Sequence, residues 1–450
     1  MISKLWPAAA LTEGDAVTLS PETARQVDVL VAEAQAAGRV PSLVLGVVHD
    51  GTLTHLAAAG AHPCPGVDLQ YRLGSISKTM TATLVMQQRD AGRLTLDDPL
   101  AAYLPGTPLG DRTLRQLLSH ASGLQREPDG RWWERTEGSD LATLVAGLTP
   151  DKIAYPPLRG YHYSNLAYGL LGGVLERITG TPWIELLRER VLAPLGMART
   201  TYHPTEPYAR GYVVHPWHDT LREEPRTDTG AMAPAGQLWS TVEDLGRWAA
   251  FLADPTPEVL AADTLTAMCA PVVISDLDSW THGHGLGLEL YRNGDRVYVG
   301  HGGSMPGYVA ALVVHRPTRT AVVALANSYT FRIGSLARRL LTLVLDAEPP
   351  AVAPWRPAAA PPPAALAELT GRWWWMGTEF EVRADESGEL RAGLPGELNL
   401  RFVPEGPDRW RGRSGGQDGE ILTVVRDGDG RVVALDVATF VLTRTPDQEP

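Results

Sequence analysis

The hydrophobic period of this chain changes twice. Residues 42–59 (SLVLGVVHDGTLTHLAAA) hold two apolar, β-prone runs around Asp50 and Gly51, a tight-hairpin signal. Residues 307–327 (GYVAALVVHRPTRTAVVALAN) repeat that pattern around residues 316–320. Between the two pairs the period lengthens to that of helices, with clear stops. One helix is predicted over 78–90, ended by Gly92, and another over 166–178, ended by Gly180. The simplest assembly is one antiparallel sheet made from both ends of this region, flanked by a large inserted helical part. That is an α/β domain without repeated βα alternation.

Residues 348–365 (EPPAVAPWRPAAAPPPAA) carry neither period. Proline and alanine at this density predict a semi-rigid extended linker with no strand or regular helix. Beyond it come short aromatic and β-branched runs at 372–376, 379–382, 398–403, 421–425 and 431–442, separated by turns such as 427–430. They predict a small antiparallel barrel. The expected organisation is an α/β domain over 1–346, a linker over 347–366 and a β-barrel over 367–450.

Composition narrows the function classes. At 44% hydrophobic and 20% charged, the 450-residue chain is not a wholly disordered one. Its net charge of -12, with no basic cluster, argues against nucleic acid or an anionic membrane as partner. No apolar run approaches the ~20 residues of a membrane helix. The start, MISKLWPAAALTEGDAV, is broken by Pro7 and soon meets Glu13 and Asp15, a poor secretion signal, so a cytoplasmic location is expected. The two cysteines, Cys64 and Cys269, exclude a disulfide-rich scaffold and a cysteine zinc cluster. Two buried thiols are expected, with one long-range disulfide as the alternative. Among 40 basic residues only Lys4, Lys78 and Lys152 are lysine, so the place of each is informative.

Lys78 stands three residues after Ser75, in GSISKTM. On a helix beginning at Ser75 the two share a face, and the helix start favours developing negative charge. A desolvated lysine there can act as base for the serine. A serine N-cap beside an exposed lysine fits the same spacing. Tyr163 and Asn165, in GYHYSNLAYG, flank Ser164 just before a helix. The phenol can exchange protons with a lysine, and the amide can hold a substrate carbonyl. A packed tyrosine and a capping asparagine fit as well. His301, Gly302, Gly303 and Ser304 end the strand-like RVYVGHGG, where glycines admit a substrate backbone and leave a main-chain N–H as an oxyanion donor. Residues 412–416 (GRSGG) match G-x-S-x-G but sit in a polar stretch of the tail, so a hairpin loop is expected. His282 with His284, or His215 with His218, lack a third ligand nearby, and no metal site or cofactor is expected.

Taken in order, S-x-x-K, Y-x-N and H-G-G resemble the three active-site motifs of the serine β-lactamase and penicillin-binding-protein superfamily, in its class C β-lactamase and esterase branch. LLSHASGL from Leu117, VLAPLGMART from Val191 and APAGQLWST from Ala233 look like that branch too, and the resemblance covers residues 27–327. It implies Ser75 as nucleophile and Lys78 with Tyr163 as the proton-transfer pair. Asn165 and His301 would set substrate contact and polarity, and the N–H groups of Ser75 and Ser304 would form the oxyanion hole. β-Lactamases usually carry lysine where His301 stands, so weak or no β-lactamase activity is implied. With its tail the chain resembles penicillin-binding-protein-type thioesterases, the stand-alone cyclases of nonribosomal peptides with a C-terminal lipocalin-like domain. D-amino-acid-directed peptidases and esterases share that architecture. The cyclase resemblance implies Arg444 as a peptide contact, a strand-end residue being the alternative. Trp132, Trp133 and Trp239 would line the cleft or lie in the core. The expected substrate is a peptidyl thioester, with a peptidyl carrier domain as possible partner; the alternative is a small ester or peptide.

Overall fold

The structure is a computed structural model that describes residues 18–61, 65–349, 354–357 and 360–446. Asp50 and Gly51 both take positive φ (46° and 80°), the two left-handed residues that a type I′ turn needs. They join β1 (Ser42–His49) to β2 (Thr52–Gly60). Later strands are β3 (Val273–Ile274), β4 (His282–His284), β5 (Glu289–Asn293), β6 (Arg296–Met305), β7 (Tyr308–His315) and β8 (Thr320–Ala326). They form one sheet in the order β2-β1-β8-β7-β6-β5-β4-β3. β1 pairs antiparallel with β8, Leu43 opposite Ala326 and His49 opposite Thr320, so the two ends of the region meet as the second and third of the eight strands.

Antiparallel sheets commonly leave one face wet, but this one is buried on both. Val44, Val48, Leu312, Val323 and Leu325 face one core; Leu43, Leu45, Val47, Val313 and Val322 face another. The second core is closed by Val27 and Val31 of the Pro21–Gly38 helix and by Leu336, Leu340 and Val344 of the Ile333–Ala347 helix. The first holds the inserted helical part, including the Ser77–Asp90 and Asn165–Thr179 helices. The α/β class with an antiparallel sheet is thus as the hydrophobic pattern predicts.

The chain divides into two compact units, Met1–Pro350 and Ala351–Pro450. In the second, eight strands from Gly371–Trp375 to Phe440–Thr443 close into a barrel. Its interior is packed with Trp373, Leu390, Phe402, Leu422 and Leu435. Strands Leu390–Leu394 and Arg409–Gly412 were not foreseen, and the predicted 431–442 run is two strands joined at Ala438 and Thr439, both at positive φ. The proline-rich stretch ends in a helical turn, Ala364–Ala367, which corrects the expectation of no helix there. Pro363 stands just before its first residue, where a missing N–H costs nothing. No described helix is long and apolar enough to cross a membrane. Residues 1–17, on which the leader reading rests, and Cys64 lie outside the described residues; Cys269 is a half-buried free thiol.

Candidate active site

Ser75 sits in a 3₁₀ turn, Gly74–Ile76, and the α-helix starts two residues later than its spacing predicts, at Ser77. That helix is buried nearly all round, so it runs through the core and delivers Ser75 half-buried at its head. Its threonines are satisfied by neighbours: Trp248 Nε1 donates to Thr79 Oγ1 at 2.9 Å and Trp183 Nε1 to Thr81 Oγ1 at 3.1 Å.

Lys78 is fully buried. Its Nζ donates to Ser75 Oγ at 2.9 Å and to the Ala235 carbonyl at 2.7 Å, and lies 5.0 Å from the centre of the Tyr163 ring. Burial pushes the ammonium down to about 7, against the pull of Glu127, Glu134 and Glu289. The exposed-lysine alternative is thereby excluded. Burial pushes the Tyr163 phenol well above its ordinary value, while the neighbouring Ser75 hydroxyl pulls it the other way. Such a pair, the lysine lowered toward neutrality and the phenol held well above its ordinary value, can divide proton transfer, the lysine as acceptor and the tyrosine as donor.

The Tyr163 loop is clamped from the LLSHASGL segment. His120 Nδ1 accepts from the Ser164 N–H at 3.0 Å, and its ring lies 4.2 Å from that of Tyr163. Ser164 caps the following helix by accepting from the Ala167 N–H. Asn165 Nδ2 donates to both carboxylate oxygens of Glu127 at 2.9 Å. The amide nitrogen that would hold a substrate carbonyl is therefore engaged, and the atom without a partner is Oδ1, an acceptor.

β6 pairs with β7 through Met305, but its ladder with β5 stops at Gly300 opposite Glu289. From His301 onward the β5-facing edge has no strand partner among the described residues. Gly74, at φ 57°, brings the Ser75 turn against this edge: a Cβ there would lie 2.5 Å from Ser304 N and 2.6 Å from Ser304 O. Only glycine meets both the left-handed φ and that approach. Gly74→Ala is expected to cost ~1–2 kcal/mol of stability through φ alone. Parting the Ser75 and Ser304 N–H groups, the oxyanion hole that the family resemblance implies, should also lower kcat by roughly 10²-fold. Melting temperature and acylation rate check both.

The beta-lactamase family profile matches residues 27–345, about 71% of the chain. This chain belongs to the beta-lactamase family. Residues 362–444 match a domain of unknown function (DUF7586). Penicillin-binding protein 4 of Amycolatopsis lactamdurans is 31% identical over 361 residues, 74% of this chain and 92% of that protein. The chain spans about half the length of Beta-lactamase-like protein 2 of Dictyostelium discoideum, 28% identical over 273 residues. Among solved structures, a D-stereospecific amidohydrolase from Streptomyces sp. aligns at TM-score 0.62 and 26% identity, covering 73% of this chain and 99% of its own. SurE with D-Leu aligns at TM-score 0.59 and 27% identity, covering 95% and 100%.

As in the family motifs, the structure brings Ser75, Lys78 and Tyr163 together, with Asn165 in the same loop and the His301 strand edge beside them. His301 itself is 2% exposed, its Nδ1–H donating to the Gly302 carbonyl at 2.5 Å, while Gly302, Gly303 and Ser304 are half-buried. Trp239 is in the core, its ring edge-on to Tyr208 and Tyr308. Trp133 is buried with Nε1 on Glu127, and Trp132 is exposed. In the barrel, Arg444 stacks 3.7 Å from the Trp373 ring centre and donates to the carbonyls of Glu368, Thr370 and Arg372. Ser414 ties a barrel loop through Arg401 N and Asn399 O, a structural serine. Sequence reasoning missed Glu127, Glu134, Glu289 and His120. His120 lay inside a quoted family segment; the carboxylates lie outside every motif.

Proposed function

We propose that this protein is a serine acyl-enzyme acyltransferase acting on peptidyl esters or thioesters whose terminal residue is D-configured, with the peptide's own amine as preferred acceptor. The serine hydrolase and acyltransferase class follows from family membership. The D-configured terminus is supported by SurE with D-Leu, a similar structure that covers 95% of this chain; the thioester and the amine acceptor rest on the motif resemblance.

In this mechanism neutral Lys78 takes the Ser75 proton as Oγ attacks the carbonyl. The carbonyl oxygen is held by the N–H groups of Ser75 and Ser304. Tyr163 gives its proton to the departing thiolate or alkoxide and is reprotonated from Lys78. The acyl-Ser75 ester is then opened by an amine, which loses its proton back through Tyr163 and Lys78. Asn165 Oδ1 can accept a substrate amide N–H, and the open edge of β6 can pair with the substrate backbone. A guanidinium such as Arg444 would serve a peptide in the barrel only by leaving its present carbonyl partners.

A D-aminoacyl amidase or peptidase is the second reading. It is favoured by the Streptomyces D-stereospecific amidohydrolase, whose similarity covers 73% of the chain. The two separate on product. Peptidyl thioesters ending in D- or L-residues are incubated with the enzyme and analysed by mass spectrometry. The D-terminated substrate is expected to give more cyclic than linear product. Linear acid alone, across several peptides, would establish the hydrolase instead.

A further inference from the structure

Three buried imidazoles converge behind the catalytic residues. One ring nitrogen from each of His120, His284 and His301 lies within 4.8 Å of the others. All three rings are at most 2% exposed, and on each Nε2 is buried with no hydrogen-bond partner. Three orphaned polar atoms in one place are costly unless something joins them.

The partners of the other nitrogens fix what that must be. His284 Nδ1 faces the Gly285 carbonyl at 3.0 Å and His301 Nδ1 the Gly302 carbonyl at 2.5 Å, so both carry their proton on Nδ1 and present a bare Nε2. His120 Nδ1 accepts from the Ser164 N–H, so its proton is on Nε2. The set is therefore one donor and two acceptors. A zinc ion needs three bare nitrogens about 3.4 Å apart, and the His120 tautomer denies it one. A water molecule can accept one hydrogen bond and donate two, and the centre of a triangle with sides at the 4.8 Å limit lies about 2.8 Å from each corner, within hydrogen-bond reach. Burial also holds all three imidazoles below their ordinary range, which keeps them neutral.

We propose that the Nε2 atoms of His120, His284 and His301 hold one buried water molecule that locks the His301 ring, and through it the Gly302 peptide and the strand edge beside Ser75. His120 also holds the Ser164 N–H between Tyr163 and Asn165, so the water couples the second and third motifs. The positioning role rests on the acyl-enzyme reading above; the water site does not. His120 and His284 act through His301 and Ser164 and are positioning residues.

Long-range ¹H–¹⁵N spectra of the histidine-labelled wild-type protein are expected to show Nε2–H on His120 and Nδ1–H on His284 and His301. A crystal structure is expected to show one solvent peak within hydrogen-bond distance of all three Nε2 atoms. Nε2–H on His284 or His301, an empty centre, or stoichiometric zinc in the purified protein would overturn the site. These readouts stand even if no acyl-enzyme forms. For the positioning role, His284→Leu should lower kcat/KM by roughly tenfold. His284→Gln, whose amide can still meet the water, should restore most of that. Equal loss in both variants would remove the role.

Discussion

Ser75→Ala is expected to abolish acyl transfer, with kcat/KM for an activated ester falling by about 10⁴-fold or more, while the melting temperature stays near that of the wild type. The reason is local. The Ser75 side chain is half-buried, and its hydroxyl accepts from Lys78 Nζ at 2.9 Å. Losing it leaves Lys78 its bond to the Ala235 carbonyl and opens no large cavity. No other serine can take over, because none shares a hydrogen bond with Lys78 Nζ among the described residues. A fluorophosphonate should add one adduct mass to the wild-type protein and none to the variant. Turnover within tenfold of wild type would sink the assignment, and with it both the cyclase and the amidase readings. A wild-type protein that takes no label and turns over no ester would be a binder that keeps the fold without the chemistry.

The site was legible where its signal is local, and illegible where it depends on distant partners. Ser75 and Lys78 are three apart, and a helical turn alone brings them into contact. Tyr163 and Asn165 are two apart on one loop, so the motif was visible too. The sheet was legible because its apolar runs are continuous and their turns have fixed chemistry, as at Asp50 and Gly51. Glu127 gave no such signal: it meets Asn165 across 38 residues, through a loop with no period. In the sequence His284 has no third metal-ligating group near it. Its companions His120 and His301 stand 164 residues before it and 17 after, and only the packing of β4 against the LLSHASGL segment joins them. Trp239 shows the same limit from the other side. A tryptophan beside a motif reads as cleft or core alike, and its pairing with Arg72, in a two-stranded ladder, decides for the core. In the barrel the strands Leu390–Leu394 and Arg409–Gly412 were missed because RAGL and RWRG carry glycine and arginine where β-branched residues would mark a strand.

Lys78→Met is expected to destroy activity and yet stabilise the fold, and the gain should depend on pH in a definite direction. Burial lowers the folded-state value from 10.5 to about 7. Below pH 7 both folded and unfolded chains hold the proton, and the folded protein bears the full cost of a buried charge. Between about 7 and 10.5 the unfolded chain binds more protons than the folded one, so stability rises with pH and the cost fades. Above that range the lysine is neutral in both states. Methionine has similar length and no charge, so its advantage should be largest below pH 7, at most about 5 kcal/mol, and shrink toward pH 10. Loss of the counter-charge to Glu127, Glu134 and Glu289, and of the bond to Ala235, trims the gain without changing its sign of dependence. In the proposed mechanism the same titration sets the activity of the wild type: kcat/KM should fall tenfold per pH unit on the acid side of an apparent value near 7, because only neutral Lys78 could take the serine proton. Glu134, raised by burial to about 6, titrates close by, so Glu134→Gln is the control and should leave that limb in place. A difference in melting temperature between Lys78→Met and wild type that does not vary from pH 6 to 10, or a flat kcat/KM from pH 6 to 8, would show that Lys78 does not titrate in this window and is not the base.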